Sequence, residues 1–582
     1  MLPVKGAVKL RVVRRALAPA AALLPDLHPV LGRVYGARGV RSAQELDNSL
    51  ERLLPVGTLA GIPEAVDLLL RHRHGRVLII GDFDADGATS SALMVRALAA
   101  AGFTAPDFLV PNRFQFGYGL TPEIVALAAV REPTLIVTVD NGISSNAGVA
   151  AARALGIEVL ITDHHLPGAQ LPEASVIVNP NLVGSTFGSR ALAGVGVAFY
   201  LMAALRRALD AQQLTPPGAP AVADLLDLVA LGTVADVVPL DANNRVLVSQ
   251  GLKRIRAGRC VAGIRALLDI AARPVADLSA SDLAFGVAPR LNAAGRIDDM
   301  TIGIQCLLAD DPVSAARLAL RLDELNQERR SIEAKMQSQA MAAVRGLADP
   351  APGDRHRNGV CLFDPGWHQG VVGLVASRVK DRLRRPVIAF ASADEATLRG
   401  SARSVTGIHI RDVFDSIAAR YPDLISRFGG HAMAAGLTLE RAQLDRFARA
   451  FDEEVGRWMA HAPAADVVET DGELAPEEIA LDTAQALRGG GPWGQAFPEP
   501  TFDGVFSIRN ARVIGERHLK MWVEVPASGR SFDAIAFNHI EPGGEFKPPA
   551  GLTHLVYRLE VNEYQGERRL QLLVEHLLPL AR

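Results

Sequence analysis

The stretch GDFDADG, residues 81–87, sets Asp82, Asp84 and Asp86 at alternate positions and closes them with a glycine. Carboxylates at this spacing bind hard cations, and an EF-hand calcium loop opens the same way before ending on a bidentate Glu at its twelfth position. Counted from Asp82, that position holds Leu93. An EF-hand loop also leaves a helix, whereas Val77–Ile80 is a short apolar, β-branched run that reads as a buried strand. The calcium-loop reading fails on both counts, and what remains is a set of aspartates at the end of a strand.

Two further runs end in the same chemistry. IVTV leads to Asp140, and VLIT leads to Asp163, His164 and His165. In an open parallel sheet, ligands bind in the crevice beyond the carboxyl ends of the strands, so these segments are expected to converge. A fourth contributor, Asp236, sits in LVALGTVADVVPL, where nothing else calls for a charge. Taken singly, each aspartate is a helix cap or turn former. Taken together, Asp82, Asp84, Asp86, Asp140 and Asp236 would repel one another at a prohibitive desolvation cost unless cations neutralise them. Oxygen donors with one or two imidazoles and no thiolate favour Mn²⁺ or Mg²⁺ over zinc. Two such ions ~3.5–4 Å apart, sharing a carboxylate, activate a water and stabilise the leaving oxygen of a phosphoryl displacement. The residues alone therefore point to a metal-dependent phosphoesterase.

The elements around these residues suit that role. From Arg76 to Asn181 strand-like and helix-like segments alternate, the signature of a parallel sheet wound by βαβ units. Residues 1–70 read as a helical lead-in and 71–310 as the catalytic block. Residues 311–349 carry apolar positions at helical spacing amid many charges, as one long helix or two consecutive ones bridging domains. A second α/β block follows over 350–465. Beyond the Gly/Pro-dense GGGPWGQAFPEP, short β-rich runs within 466–582 suit a small barrel. The fold class is multidomain α/β.

A chain of 582 residues needs several cores. Its net charge of −3 carries no global signature for nucleic acid or membrane. Contact with a polyanion must come from local patches, such as residues 376–430, with ten Lys/Arg against six Asp/Glu. Cys260, Cys306 and Cys361 form no C-x-x-C pair, which argues against a disulfide framework or structural zinc and fits a reducing cytoplasm. The N-terminal apolar run is broken by Pro19 and Pro25 and is short for a signal sequence. No apolar run approaches the ~20 residues of a membrane span.

DFDADG, the lone Asp140, Asp163-His164-His165 and LGTVADVVPL resemble the four motifs of the DHH phosphoesterase superfamily. APRLNAAGR (288–296), WHQGVVGLVASR (367–378), GSARS (400–404) and RFGGHAMAAG (427–436) resemble the RecJ family of bacterial single-strand-specific 5′→3′ DNA exonucleases within it. The resemblance implies a parallel-sheet DHH catalytic domain, a DHHA1 domain and a C-terminal OB-like barrel. It implies metal ligation by Asp84, Asp86, Asp140, His164 and Asp236, with Asp82 a ligand or a support for one, and His165 on the scissile phosphate or supporting a ligand. The catalytic residues would be Asp84, Asp140, His164 and His165, acting with two Mn²⁺ or Mg²⁺ ions. Arg113 and the GSARS residues Ser401 and Arg403, read as a turn, would grip the 5′-phosphate. His431 would face the cleft, with His368 a weaker candidate. Arg290, Asn292 and Arg296 would contact the strand, although capping or interdomain salt bridges explain them almost as well. The implied partners are single-stranded DNA, a RecQ-type helicase and single-stranded-DNA-binding protein, around a monomer acting in DNA repair and recombination. Two competitors remain: a small-substrate DHH phosphodiesterase, and a non-catalytic DNA-binding subunit of the same fold.

Overall fold

A computed structural model describes residues 10–16, 27–112, 115–116, 119–348, 357–460, 467–515, 517–540, 551–564 and 567–580. The lead-in contains helices Pro29–Ala37 and Ile62–Arg71, but it is not all helical. Arg11–Arg14 is a strand (β1) that pairs in parallel with Val467–Thr470 (β12), far away in sequence. Such a pairing leaves no local periodic signal, which is why the sequence does not announce it.

The catalytic sheet contains Val77–Gly81 (β2), Asp107–Leu109 (β3), Leu135–Val139 (β4), Glu158–Thr162 (β5) and Val176–Val178 (β6), all parallel, in the order β3-β2-β4-β5-β6. β2 and β4 are buried at every position, one face packing Ile79 and Val137 and the other Ile80 and Ile136. Burial on both faces is why they read as unbroken apolar runs. The chain leaves β2 for β3 at one edge and returns to β4 on the other side of β2. That reversal opens a crevice at the carboxyl ends of β2 and β4, where Asp82 and Asp140 lie.

Pro312–Ala348 is a single helix of 37 residues, about 55 Å long at 1.5 Å per residue. Ala315, Ala319, Leu322 and Leu325 pack into the catalytic core, whereas Met336, Ala340 and Val344 pack into the second block. One rigid rod thus belongs to two cores. The second block is a mixed sheet of Val360–Phe363 (β7), Val387–Ser392 (β8), Thr397–Arg403 (β9), Arg427–Gly430 (β10) and Ala434–Glu440 (β11), in the order β10-β11-β9-β8-β7. Helix Val372–Leu383 packs on one face, and helices Ile410–Arg420 and Leu444–Met459 on the other. GSARS, read from sequence as a turn, lies largely in β9.

Phe502–Ile514 (β13), His518–Glu524 (β14), Ser531–Ala536 (β15), Leu552–Tyr564 (β16) and Glu567–Pro579 (β17) close into a barrel. Closure removes the edge strands that an open sheet would expose. The barrel core, including Phe506, Tyr557 and Leu572, is continuous with that of the catalytic block.

A buried ion pair ties these parts together. Arg38 donates to both oxygens of Asp471, at 2.7 and 3.1 Å, and 2% and 1% of the two side chains are exposed. Arg38 also donates to Pro498 O at 2.7 Å and lies over the Trp493 ring. Removing one partner of such a pair strands a buried charge, at a cost of about 3–5 kcal/mol. Asp471→Ala is therefore expected to lower the thermal unfolding midpoint markedly, as read by calorimetry. A variant that melts with the parent would refute the clamp.

Candidate metal centre

Asp82 is the first residue past β2, and its Oδ1 accepts from the Phe83 N–H at 2.7 Å. Asp84 caps helix Ala85–Ala100, accepting from the N–H groups of Asp86 and Gly87 at 2.9 and 3.0 Å. That cap uses Oδ1 and leaves the second oxygen for the cleft. Asp86, in the first turn, accepts from Gly194 N–H at 2.6 Å and Val195 N–H at 2.9 Å. These amides begin helix Gly194–Ala211, whose positive end favours a carboxylate. The approach depends on a missing side chain, since a Cβ on Gly194 would lie 2.7 Å from Asp140 Oδ1.

Asp140 follows β4 with φ of 62°, a left-handed conformation uncommon outside glycine, asparagine and aspartate. Beside it, the Asn141 side-chain amide donates to Ile80 O at 3.1 Å and Val139 O at 2.9 Å, tying β2 to β4 where the acids emerge. His164 Nε2 lies 3.1 Å from Asp140 Oδ1 and 3.5 Å from Asp236 Oδ2. Asp236 ends helix Leu226–Asp236, and Val237 after it takes φ of 62°. A β-branched residue there is strained, and the strain falls where the helix must stop to deliver Asp236.

Three sets of groups bring ligand atoms within 4.8 Å of one another: Asp82, Asp84 and Asp140; Asp86, His164 and Asp236; Asp140, His164 and His165. The first two read as candidate cation positions, linked by the 3.1 Å approach of Asp140 Oδ1 to His164 Nε2. His164 Nε2 and Asp236 Oδ2 are buried and make no hydrogen bond among the described residues. Orphaned lone pairs in an acidic pocket are what a divalent ion would satisfy. The electrostatics agree. Burial, reinforced by the neighbouring acids, holds Asp86 and Asp140 well above the usual carboxylate range. Burial and then Asp84 push Asp236 up to about 7. Burial and then the charge of His165 push His164 down to about 4, keeping it neutral as a ligand must be.

Asp163 has a different role from its neighbours. It accepts from the N–H groups of Ile143, His164 and His165 at 2.8, 2.7 and 3.0 Å, and its Oδ1 lies 2.7 Å from His165 Nδ1. Burial opposes a charged His165, but Asp163 outweighs it and raises the imidazole to about 9. The Asn179 side chain donates to His165 O at 2.9 Å and that of Asn181 to His164 O at 2.6 Å. These three residues hold the histidine turn. Their only sequence signal is the habit of Asp and Asn to bond nearby backbone.

Across the cleft, Arg403 donates to Ser401 Oγ at 3.0 Å. A Cβ on Gly373 would lie 2.8 Å from both Ser401 Oγ and Arg403 Nη2, so glycine lets the start of helix Val372–Leu383 reach this pocket. Burial and then Arg296 push Arg403 down to about 10, and burial lowers Arg296 as well, opposed by the charge of Asp84. The His431 ring stacks 5.9 Å from that of His165, bringing the two α/β blocks together at the centre. His368 Nδ1 accepts from Gly370 N–H at 3.1 Å within its own turn.

Two expected strand contacts are engaged elsewhere. Arg290 Nε lies 2.8 Å from Asp323 on the long helix, an interdomain salt bridge. The Asn292 side-chain oxygen accepts from Ala85 N–H at 2.9 Å, holding the metal-site loop. Arg113 lies outside the described residues.

Residues 76–233 match the N-terminal domain of the DHH family, 357–457 the DHHA1 domain and 470–576 the RecJ OB domain. The chain is 53% identical over 570 residues to the single-stranded-DNA-specific exonuclease RecJ of Dickeya dadantii, covering 96% of this chain and 97% of the relative. It is 50% identical over 589 residues to that of Escherichia coli, covering 99% and 100%. Among solved structures, RecJ of Thermus thermophilus in complex with Mn²⁺ superposes with a TM-score of 0.80 at 30% identity, over 99% of this chain and 80% of that one.

Asp140→Asn keeps a residue tolerant of the left-handed backbone and removes one charge from the cluster. In EDTA the variant is expected to melt above the parent, because repulsion falls. With Mn²⁺ the parent should gain stability, about 2.7 kcal/mol at a hundredfold excess over Kd, and the variant should gain little. Equal metal-induced shifts in the two proteins would contradict this assignment.

Proposed function

The chain belongs to the RecJ family, and from that premise we propose that it is a metal-dependent, single-stranded-DNA-specific exonuclease that releases mononucleotides from the 5′ end. The observation that carries the reading is the closeness of two ligand sets, joined by the 3.1 Å approach of Asp140 Oδ1 to His164 Nε2, to a half-buried pocket of two arginines. Asp82, Asp84 and Asp140 would hold one divalent ion and Asp86, His164 and Asp236 the other, with Asp140 placed for both. Their oxygen and imidazole donors suit Mn²⁺ or Mg²⁺. Such ions supply a water nucleophile at neutral pH and offset charge developing on the phosphoryl oxygens.

The chain's own residues do the rest. Asp163, Asn179 and Asn181 fix the histidine turn, so that His164 presents Nε2 to the acids and His165 presents its ring to the cleft. His165 and His431, stacked across the domain junction, would donate to a phosphoryl oxygen. Arg403, Ser401 and Arg296 form a pocket whose charge matches a terminal phosphate. That group carries more charge than an internal diester and pairs bidentately with guanidinium. Preference for a phosphate end follows from this, and the 5′→3′ direction is supported by the family resemblance. Arg113 would supply a further arm. Arg290 is not carried forward as a strand contact, and Asn292 acts through the metal loop.

The barrel supports a strand longer than a dinucleotide, since OB folds track single strands. In the described part, no single helix is long and apolar enough to cross a membrane. The family resemblance supports a role in DNA repair and recombination as a cytoplasmic monomer, beside a RecQ-type helicase and single-stranded-DNA-binding protein.

Digesting 5′- and 3′-labelled single and double strands with Mn²⁺, Mg²⁺ or EDTA tests the reading. Mononucleotides should leave a single strand from its 5′ end only when metal is present, and shortening from the 3′ end would overturn the assignment. In Arg403→Ala the preference for a 5′-phosphate over a 5′-hydroxyl should fall about 10- to 100-fold, as expected when a charged hydrogen bond is lost. An unchanged preference would remove the pocket from end recognition.

A further inference from the structure

One helical segment links three places. Leu283–Val287 is a π turn that runs directly into helix Ala288–Ile297. At its far end, Arg296 faces Arg403 and donates to Gly370 O at 3.3 Å. In its middle, Asn292 holds the metal loop at Ala85. At its start, Phe285 lines a cleft of about 760 Å³ between the catalytic block and the barrel. Phe285, Asn292 and Arg296 stand at i, i+7 and i+11, a spacing that shares one helix face, loosened here by the π turn.

Phe285 is 72% exposed, more than Trp522 at 50% or Phe537 at 53%. An aromatic ring held this far into solvent forgoes burial it could gain in a core, and π turns recur where helices serve a site. The cleft around it carries charges of both signs, and several of its arginines are engaged with protein oxygens. Arg273 lies 3.3 Å from Asp282, Arg256 Nε donates to Leu278 O at 2.8 Å, and Arg488 donates to Asp277 O at 3.1 Å. Several of the wall arginines already hold protein oxygens, which leaves the exposed ring as a surface on which a base can lie.

Resting on the exonuclease reading above, we propose that Phe285 is a base-stacking platform for the single strand on the 3′ side of the scissile bond, at the catalytic-block mouth of the barrel cleft. If the 5′ end is held at the Arg296 end of this segment and cut beside Asn292, the remaining strand must leave the other way. Seven residues of helix separate Asn292 from Phe285, about 10 Å along the axis, so the cleft is the first open surface that strand meets along this segment. Stacking is sequence-tolerant because every base offers a π face, which suits an enzyme that must move along any sequence.

The test compares a 5′-phosphorylated dinucleotide with a long 5′-phosphorylated single strand on the full-length, Mn²⁺-loaded enzyme. Phe285→Ala should raise KM for the long strand about tenfold, the usual loss for one stacked base, and leave dinucleotide hydrolysis unchanged. Phe285→Trp should restore KM and show fluorescence quenched by the long strand beyond any change in the parent, but not by the dinucleotide. Equal losses on both substrates would overturn the proposal, because Phe285 would then act through Asn292 and the metal loop. No loss and no quenching would also overturn it, leaving the exposed ring to a protein partner. A parent enzyme that cleaves neither substrate would instead sink the exonuclease reading itself.

Discussion

Carboxylates cannot be gathered out of water without a counter-charge, and the architecture around the cleft follows from that constraint. Two like charges 4 Å apart repel by about 4 kcal/mol at an effective dielectric of 20. Here Asp86 and Asp140 are 1% and 2% exposed, with Asp82, Asp84 and Asp236 acting on them. The fold meets part of this cost with its own dipoles: Asp86 takes the amides of a helix start, and Asp84 caps its own helix. Asp236 Oδ2 and His164 Nε2 are left without hydrogen bonds among the described residues. That shortfall is what bound divalent cations would make good.

Positioning is distributed over distant parts of the chain. The reversal of strand order between β2 and β4 creates the crevice, and Asn141 ties its two lips together. Gly295 packs so tightly that a Cβ there would overlap Phe83 O, at 1.7 Å, pressing the Asn292 helix against the metal loop. The long helix shares its two halves between two cores, so it fixes the distance between the acids on one block and Ser401 and Arg403 on the other. Cleavage at a set distance from a gripped end needs such a rigid spacer, since misplacement by an ångström is costly to a positioned reaction.

Much of this was legible in the sequence, for local reasons. Val77–Gly81 and Leu135–Val139 read as strands because burial on both faces leaves unbroken apolar runs, and an acid directly after such a run has few structural excuses. The barrel was legible from turn-separated β-rich runs. What escaped depends on tertiary contacts that carry no periodicity. The β1–β12 pairing joins segments far apart in the chain. GSARS looks like a turn because most of its residues are small, yet it lies largely in a strand, and the neighbouring helix approaches it through Gly373. Asp163 looks like another ligand, but four hydrogen-bond donors surround it. Arg290 and Asn292 sit in one motif and serve different ends, a salt bridge and a loop support, which no spacing rule separates. Of the barrel aromatics, Phe532 and Tyr557 are core while Trp522 is half exposed; the side chain of Tyr564 lies outside the described residues.

On the proposed function, Asp140 would stand between two cations. Anomalous diffraction at the manganese edge, from crystals grown with Mn²⁺, tests it most directly. The account predicts two peaks about 3.5–4 Å apart, one against Asp82 and Asp84, the other against Asp86, His164 and Asp236, with Asp140 touching both. A single peak, or two peaks that do not share Asp140, would contradict it.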